Sequence, residues 1–338
     1  MSNQRWYDLA EPEGRGWHGP DTKRLTDRLP ARAEGTVPDV VWGLSRHSSG
    51  LYYRFRTDAA EISARWTLPD GPIAKPHMPA ASVSGLDLYA DDDHGRPRWA
   101  GWAAPETGGT AEAVLQTGIR AVAEPREYRL YLPLFNEVDD VAIGVPDGAS
   151  FEVCPADPTP PVVYYGTSIV HGAAASRPGM AMPAQLGRRL ERPVIGLGFS
   201  GNGRMEVELA ALLAEIDAAG YLIDCLPNMS PEQVAERTVP FVRRLRRDRP
   251  DTPILLIEDR TLTSAWLVDG MLAKHRDRRA AYREAYRTLA EADAHLYHLP
   301  YDALLGTDDE ATVDGSHPTD LGFTRMTDLL TPLVRRLL

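Results

Sequence analysis

Pro155-Ala156-Asp157-Pro158-Thr159-Pro160-Pro161-Val162-Val163-Tyr164-Tyr165-Gly166-Thr167-Ser168 divides the chain into two stretches of different period. Four prolines in seven residues make a stiff, extended connector. The apolar run Val162–Tyr165 directly behind it reads as a buried strand ending in a glycine turn. From there to residue 338 strands alternate with helices. Strands are expected at Val162–Tyr165, Val194–Leu197, Tyr221–Leu226, Pro253–Glu258 and His295–His298. Helices are expected at Met180–Leu190, Met205–Ile216, Pro231–Arg247, Arg276–Ala292 and Asp320–Leu338. Ser230 is the N-cap of the third helix with Pro231 in its first turn, and Thr319 or Asp320 caps the last. Such alternation implies parallel strands, right-handed crossovers and a three-layer α/β/α unit with a five-stranded sheet. Sites in these sheets lie beyond the C-terminal strand ends, so the strand-to-helix loops are where chemistry is to be sought.

Ahead of the connector the period is two. Leu51–Thr57, Glu61–Trp66, Leu86–Tyr89, Glu112–Gln116, Tyr128–Leu132 and Val141–Val145 are rich in β-branched and aromatic residues. Turn chemistry punctuates them at Pro69-Asp70-Gly71, Asp93-His94-Gly95 and Pro146-Asp147-Gly148. No amphipathic helix is expected between residues 40 and 153. This half reads as an all-β, jelly-roll-like sandwich. The expected organisation is therefore a β domain over 1–154, a connector over 155–161 and an α/β domain over 162–338. A chain of 338 residues is long enough for both to bury a core.

Charge and composition exclude several classes of function. The net charge of −11 argues against a general affinity for nucleic acid or an anionic membrane. The one basic run, Arg243-Arg244-Leu245-Arg246-Arg247, reads as a solvated helix end that complements the helix dipole. Two cysteines, Cys154 and Cys225, make no disulfide framework, and Cys225 reads as a buried small hydrophobe. Residues 1–6 carry no apolar signal-like segment and no apolar run reaches membrane-spanning length, so a cytoplasmic location is expected. Six of the seven tryptophans fall at or before residue 102; filling the sandwich core is the expected use for most of them, with stacking on sugar rings as the functional alternative. His77 and His94, beside Asp91-Asp92-Asp93, read as part of an acidic solvated turn, and no metal or cofactor is expected.

The strand ends carry the chemistry. The first α/β strand runs into Gly166-Thr167-Ser168, the second into Gly198-Phe199-Ser200-Gly201-Asn202-Gly203, and the third into Leu226-Pro227-Asn228-Met229. Asp314-Gly315-Ser316-His317-Pro318 lies just before the last helix. An acid three residues before a histidine on a loop is placed to fix its tautomer, leaving the other ring nitrogen to take a proton from a hydroxyl.

Taken together these four segments resemble the blocks of the SGNH (GDSL-like) hydrolase superfamily. The resemblance implies Ser168 as nucleophile and Asp314 with His317 as its acid–base pair. It also implies the N–H groups of Ser168 and Gly201, with the Asn228 side chain, as the oxyanion hole. The first block reads Gly-Thr-Ser where Gly-Asp-Ser is common, and the third reads Leu-Pro-Asn-Met where Gly-x-Asn-Asp is usual. Asn228 is thus without its usual neighbours. Ser84-Gly85-Leu86-Asp87-Leu88-Tyr89 resembles the GxDLY motif of a β domain that accompanies one subgroup, which includes carbohydrate esterases and a natural-product acyltransferase. The implied function is serine-dependent acyl transfer from a small-molecule ester. Removal of a short acyl group from a carbohydrate or similar small alcohol is the first reading, and transfer to a natural-product alcohol such as a polyketide is the second. His77 or Asp87 would then supply substrate contacts from the β domain.

Three rivals stand beside this reading. Gly196-Leu197-Gly198-Phe199-Ser200-Gly201 is a GxGxxG behind a strand, with Asp224 ending the next one, as in a Rossmann NAD-dependent oxidoreductase. Ser200 approaches a GxSxG elbow, although Asn202 occupies the final position. A protein acting only through interaction would hydrolyse no activated ester. His171, close to Ser168 in sequence, either lines the site or is structural.

Overall fold

The structure, a computed structural model, describes residues 4–300 and 304–338; Met1–Asn3, part of the N-terminal stretch read above, lie outside the described residues. Before the connector run β1 (Gln4–Asp8), α1 (Asp39–Ser45), β2 (Tyr52–Thr57), β3 (Ile62–Leu68), α2 (Ala80–Val83), β4 (Leu86–Asp91), β5 (Pro97–Ala103), β6 (Gly109–Gln116), β7 (Arg126–Tyr131), β8 (Asp139–Pro146) and β9 (Phe151–Val153). They form two antiparallel sheets, ordered β1-β8-β3-β6 and β5-β4-β7-β2-β9. Alternation sends Tyr53, Phe55, Leu86, Leu88 and Leu130 of one sheet against Ile62, Ala64, Trp66, Ile143 and Val145 of the other. The expected sandwich is present. The short helices α1 and α2 correct the expectation of none; at seven and four residues they are too brief to show a helical period.

After the connector come β10 (Val162–Gly166), α3 (Ser168–His171), α4 (Met182–Leu190), β11 (Val194–Gly198), α5 (Val207–Leu213), β12 (Gly220–Asp224), α6 (Pro231–Asp248), β13 (Ile254–Ile257), α7 (Met271–Ala290), β14 (Leu296–Leu299) and α8 (Asp320–Leu337). The five strands pair in parallel in the order β11-β10-β12-β13-β14. Both faces are covered, which is why the strands read as continuous apolar runs. Val163, Tyr165, Ile223 and Leu256 face α5, α6 and α7, whereas Val162, Tyr164, Leu222 and Leu255 face α4 and α8. Ser230 caps α6 in a full capping box with Gln233. Within the basic run, Arg246 is no solvated side chain: it bonds Asp293 and the carbonyls of Arg249, Thr252 and His295.

Packing does not divide where the connector does. Trp17, Leu29, Ala33, Val37 and Val41 join the α5–α7 core of the α/β unit, although they lie in the chain between sandwich strands β1 and β2. Buried Arg28 donates to the carbonyls of Gly196 (3.2 Å) and Gly198 (3.0 Å) at the end of β11. The connector is itself pinned, with Pro155 and Pro160 carbonyls accepting from Arg54 and Arg192.

The outer face of the β5-β4-β7-β2-β9 sheet lies against the α/β unit through Tyr52, Tyr89, Tyr131 and Ala184. Asp87, fully buried there, accepts from Gly179 N–H (2.7 Å), Arg177 (2.7 Å) and Trp99 Nε1 (3.1 Å). This corrects the idea that Asp87 contacts substrate: its acceptor sites are spent on joining the halves. The tryptophans are corrected too. Trp66 fills the sandwich core, but Trp17 belongs to the other core, and Trp99 and Trp102 on edge strand β5 are about half exposed.

Candidate active site

β10 is an interior strand of the sheet, flanked by β11 and β12, so the chain leaving its C-terminal end enters the crevice where the strand order reverses. Thr167 caps the single turn α3, its hydroxyl accepting from Ile169 N–H, and Ser168 is the first helical residue. Its own N–H therefore has no partner within the helix. The side chain is largely buried, and its hydroxyl meets His317 Nε2 at 2.9 Å.

His317 comes from the loop before α8, 149 residues further on. Its Nδ1–H donates to Asp314 Oδ2 (2.7 Å), while Asp314 Oδ1 accepts the N–H groups of Ser316 (3.0 Å) and His317 (2.8 Å). Partial burial pushes the Asp314 carboxyl up, but the His317 N–H and imidazole outweigh it and hold the group below its ordinary value. A charged carboxylate thus fixes the tautomer that leaves Nε2 free for the serine proton.

The other two predicted residues lie on the neighbouring loops. Residues 199–203 form a turn in which Asn202 and Gly203 N–H donate to Phe199 O, with Gly201 exposed at φ +72°, a left-handed conformation that suits glycine. Asn228 ends a 3-10 turn over Leu226–Asn228. The amide orientation that satisfies its neighbours points its oxygen at the N–H groups of Asn202 (3.0 Å) and Gly203 (3.3 Å). Its NH₂ group then lies on the side away from these two N–H groups. The backbone of the second block holds Asn228, in place of the missing sequence neighbours.

Several readings are settled by placement. Ser168, not Ser200, meets His317. Asp224 is buried in a bidentate bridge to Arg260 (2.9 and 3.0 Å) and accepts from Tyr164, so it offers nothing to a ribose. A side chain at Gly198 would strike His171 N at 2.0 Å, so this glycine serves packing of α3 rather than a pyrophosphate; the next helix, α5, begins only at Val207. His171 is structural: fully buried, it stacks on Phe135 (4.1 Å between centroids) and lies 3.4 Å from His47 Nδ1. In the acidic turn Asp92 accepts from His94 and Arg96, and Asp93 pairs with Arg120 and Arg126.

His77 does reach the site from the β half, stacking on His317 at 5.8 Å between centroids. Sequence reading missed the buried ionic cluster of Asp259, His275, Arg278 and Arg279 behind the third block. Its only sequence signal is the dense run of charges in α7.

Comparison with known proteins agrees with this arrangement. A profile of the GDSL-like Lipase/Acylhydrolase family matches residues 159–335, and one for the GxDLY N-terminus of SGNH-hydrolase-type esterases matches residues 4–151. A crystal structure from Bacteroides ovatus, described as a GDSL-like lipase, is 36% identical with a TM-score of 0.93, covering 99% of this chain and 98% of its own. The salicylyl-acyltransferase SsfX3 from a tetracycline biosynthetic pathway is 19% identical with a TM-score of 0.79, over 99% of this chain and 97% of its own. A family two carbohydrate esterase from Clostridium thermocellum, solved with cellohexaose, is 13% identical with a TM-score of 0.59, over 85% of this chain and 92% of its own. At these last two identities the likeness is one of fold. No curated protein matches the chain. With one profile over its α/β half, another over its β half and a solved relative along almost its whole length, the chain belongs to the GDSL-like lipase/acylhydrolase family of serine hydrolase-type enzymes.

Proposed function

We propose that the protein transfers a short acyl group from a small-molecule ester by way of an acyl-enzyme on Ser168. The observation that carries this reading is the run of two hydrogen bonds from Ser168 Oγ through His317 to Asp314, 2.9 and 2.7 Å long. His317 takes the hydroxyl proton as Ser168 attacks the ester carbonyl. Asp314 keeps the imidazole in register and stabilises the imidazolium that forms. Negative charge on the carbonyl oxygen is met by the N–H groups of Ser168 and Gly201 and by the Asn228 amide. His317 then returns the proton to the departing alcohol, and a water or a second alcohol releases the acyl group by the same steps in reverse.

Hydrolysis of an acylated carbohydrate or similar small alcohol is the first reading, supported by the carbohydrate esterase among the fold neighbours. Transfer to a natural-product alcohol is the second, supported by the acyltransferase. A panel of 4-nitrophenyl esters of rising chain length, with and without sugar or polyketide alcohols, separates them. Preference for acetate with water as acceptor is expected. Formation of a new ester, with a rate that rises with alcohol, would favour transfer, and no turnover of any ester would sink both.

A further inference from the structure

A second buried cluster of ionisable groups lies behind the site, and the acyl-transfer steps do not use it. Asp259, fully buried beyond the end of β13, accepts from His275 Nδ1 (2.5 Å), Arg278 Nη2 (2.5 Å) and Arg279 Nε (3.0 Å). Two arms leave this carboxylate. Arg278 Nη1 reaches the carbonyls of Pro227 (3.3 Å) and Met229 (3.2 Å), the residues on either side of Asn228. His275 Nε2 accepts the N–H of Leu262 (3.3 Å), and the next residue, Thr263, donates its N–H to the carbonyl of Gly315 (3.0 Å), between Asp314 and His317. A cavity of about 150 Å³, bordered by Ile169, Pro227, Asp259, Arg278 and Ser316, places the cluster beside neighbours of Ser168, Asn228 and His317 alike.

Taking such groups out of water is costly, and well-packed apolar residues often do as well for stability alone. Here the arginine fork does something an apolar side chain cannot. It fixes the two carbonyls that bracket Asn228, in a loop without the usual neighbours for that asparagine. We propose that Asp259, acting through Arg278, is the positioning device of Asn228, holding its amide donor at the place where the oxyanion forms. This rests on the reading of Asn228 as an oxyanion donor. Misplacement of a reacting or stabilising group by about 1 Å is enough to cost on the order of a hundredfold in rate.

The test is a double-mutant cycle on 4-nitrophenyl acetate hydrolysis. Arg278→Met is expected to lower kcat by about 10- to 100-fold, as loss of an outer supporting group commonly does, with KM nearly unchanged. Placed on Asn228→Ala, the same substitution should cost less than about threefold, because the group it positions is already gone. A full repeat of the loss on that background, or no loss on the wild type, overturns the proposal. Arg278→Lys guards against misfolding: it keeps a cation for Asp259 but presents no planar fork to two carbonyls. Its crystal structure should show the Asn228 amide withdrawn from Asn202 and Gly203, and an unmoved Asn228 overturns the proposal whatever the activity. If Asn228 moves but the wild type cleaves no ester, positioning stands and the acyl-transfer reading falls.

Discussion

Asp314 with His317 and Asp259 with His275 are the same two side chain types joined by the same Nδ1 bond, at 2.7 and 2.5 Å. Their surroundings differ, and with them the uses proposed for each. His317 is about a quarter exposed and turns its free Nε2 to the Ser168 hydroxyl. His275 is sealed at 4% exposure, and its Nε2 is already occupied by the Leu262 N–H. A base needs a vacant lone pair facing the hydroxyl it is to deprotonate; Nε2 of His317 faces one and Nε2 of His275 does not. An Asp–His pair is therefore a general base or a structural tie according to what meets its second nitrogen.

The contrast is broken most directly at the exposed pair. His317→Ala should remove nearly all ester turnover, about 10⁴-fold by analogy with triad losses, with little change in Tm. A Tm that collapses while residual activity persists would mean that the two pairs have been assigned the wrong way round. Next in size, Asn228→Ala should lower kcat by about 10²- to 10³-fold with KM little changed. An inert substitution would remove this residue from the oxyanion hole and leave the triad standing. His275→Ala, on the sealed side, is expected to act mainly on stability, by about 3 kcal/mol, the usual cost of removing one partner of a buried pair. Urea unfolding gives that figure, and a loss of activity as large as that of His317→Ala, without unfolding, would erase the distinction.

A comparable effect, read against pH, comes from two imidazoles buried with no carboxylate at hand. Burial, with Arg28 and Lys75 nearby, pulls His47 down to about 3, and burial beside Arg28 and His47 pulls His171 well below its ordinary value. The unfolded chain protonates both below about 6.5, whereas the folded chain does not. Stability should therefore fall as the pH drops below that value, by about 1.4 kcal/mol per pH unit for each such group. Denaturation midpoints from pH 7 to 5 measure this. His47→Gln should flatten the slope, and an unchanged slope would exclude His47 as its source.

Much of this was legible in the chain. Periodicity changes at the connector because strands buried on both faces need unbroken apolar runs and strands with one wet face need alternation, and both patterns appear where expected. Ser168, Asp314 and His317 could be singled out because each sits beside a strand end or helix start, in the order of the family blocks they resemble. The Trp17–Val41 segment was not, since nothing local says which core an apolar side chain enters. Asp87 misled for the same reason: its motif is plain, but whether a carboxylate faces substrate or Arg177 depends on the apposing domain.

The amino-acid order by itself determined the two architectures, the boundary between their periods and the residue types at each strand end, because these follow from short-range alternation, capping and turn chemistry. Only the tertiary structure decided which serine meets which histidine, how Asn228 is held without its customary neighbours, and which of two Asp–His pairs stays open. Those depend on contacts between segments up to 149 residues apart, and no local pattern encodes the distance at which such segments come to rest.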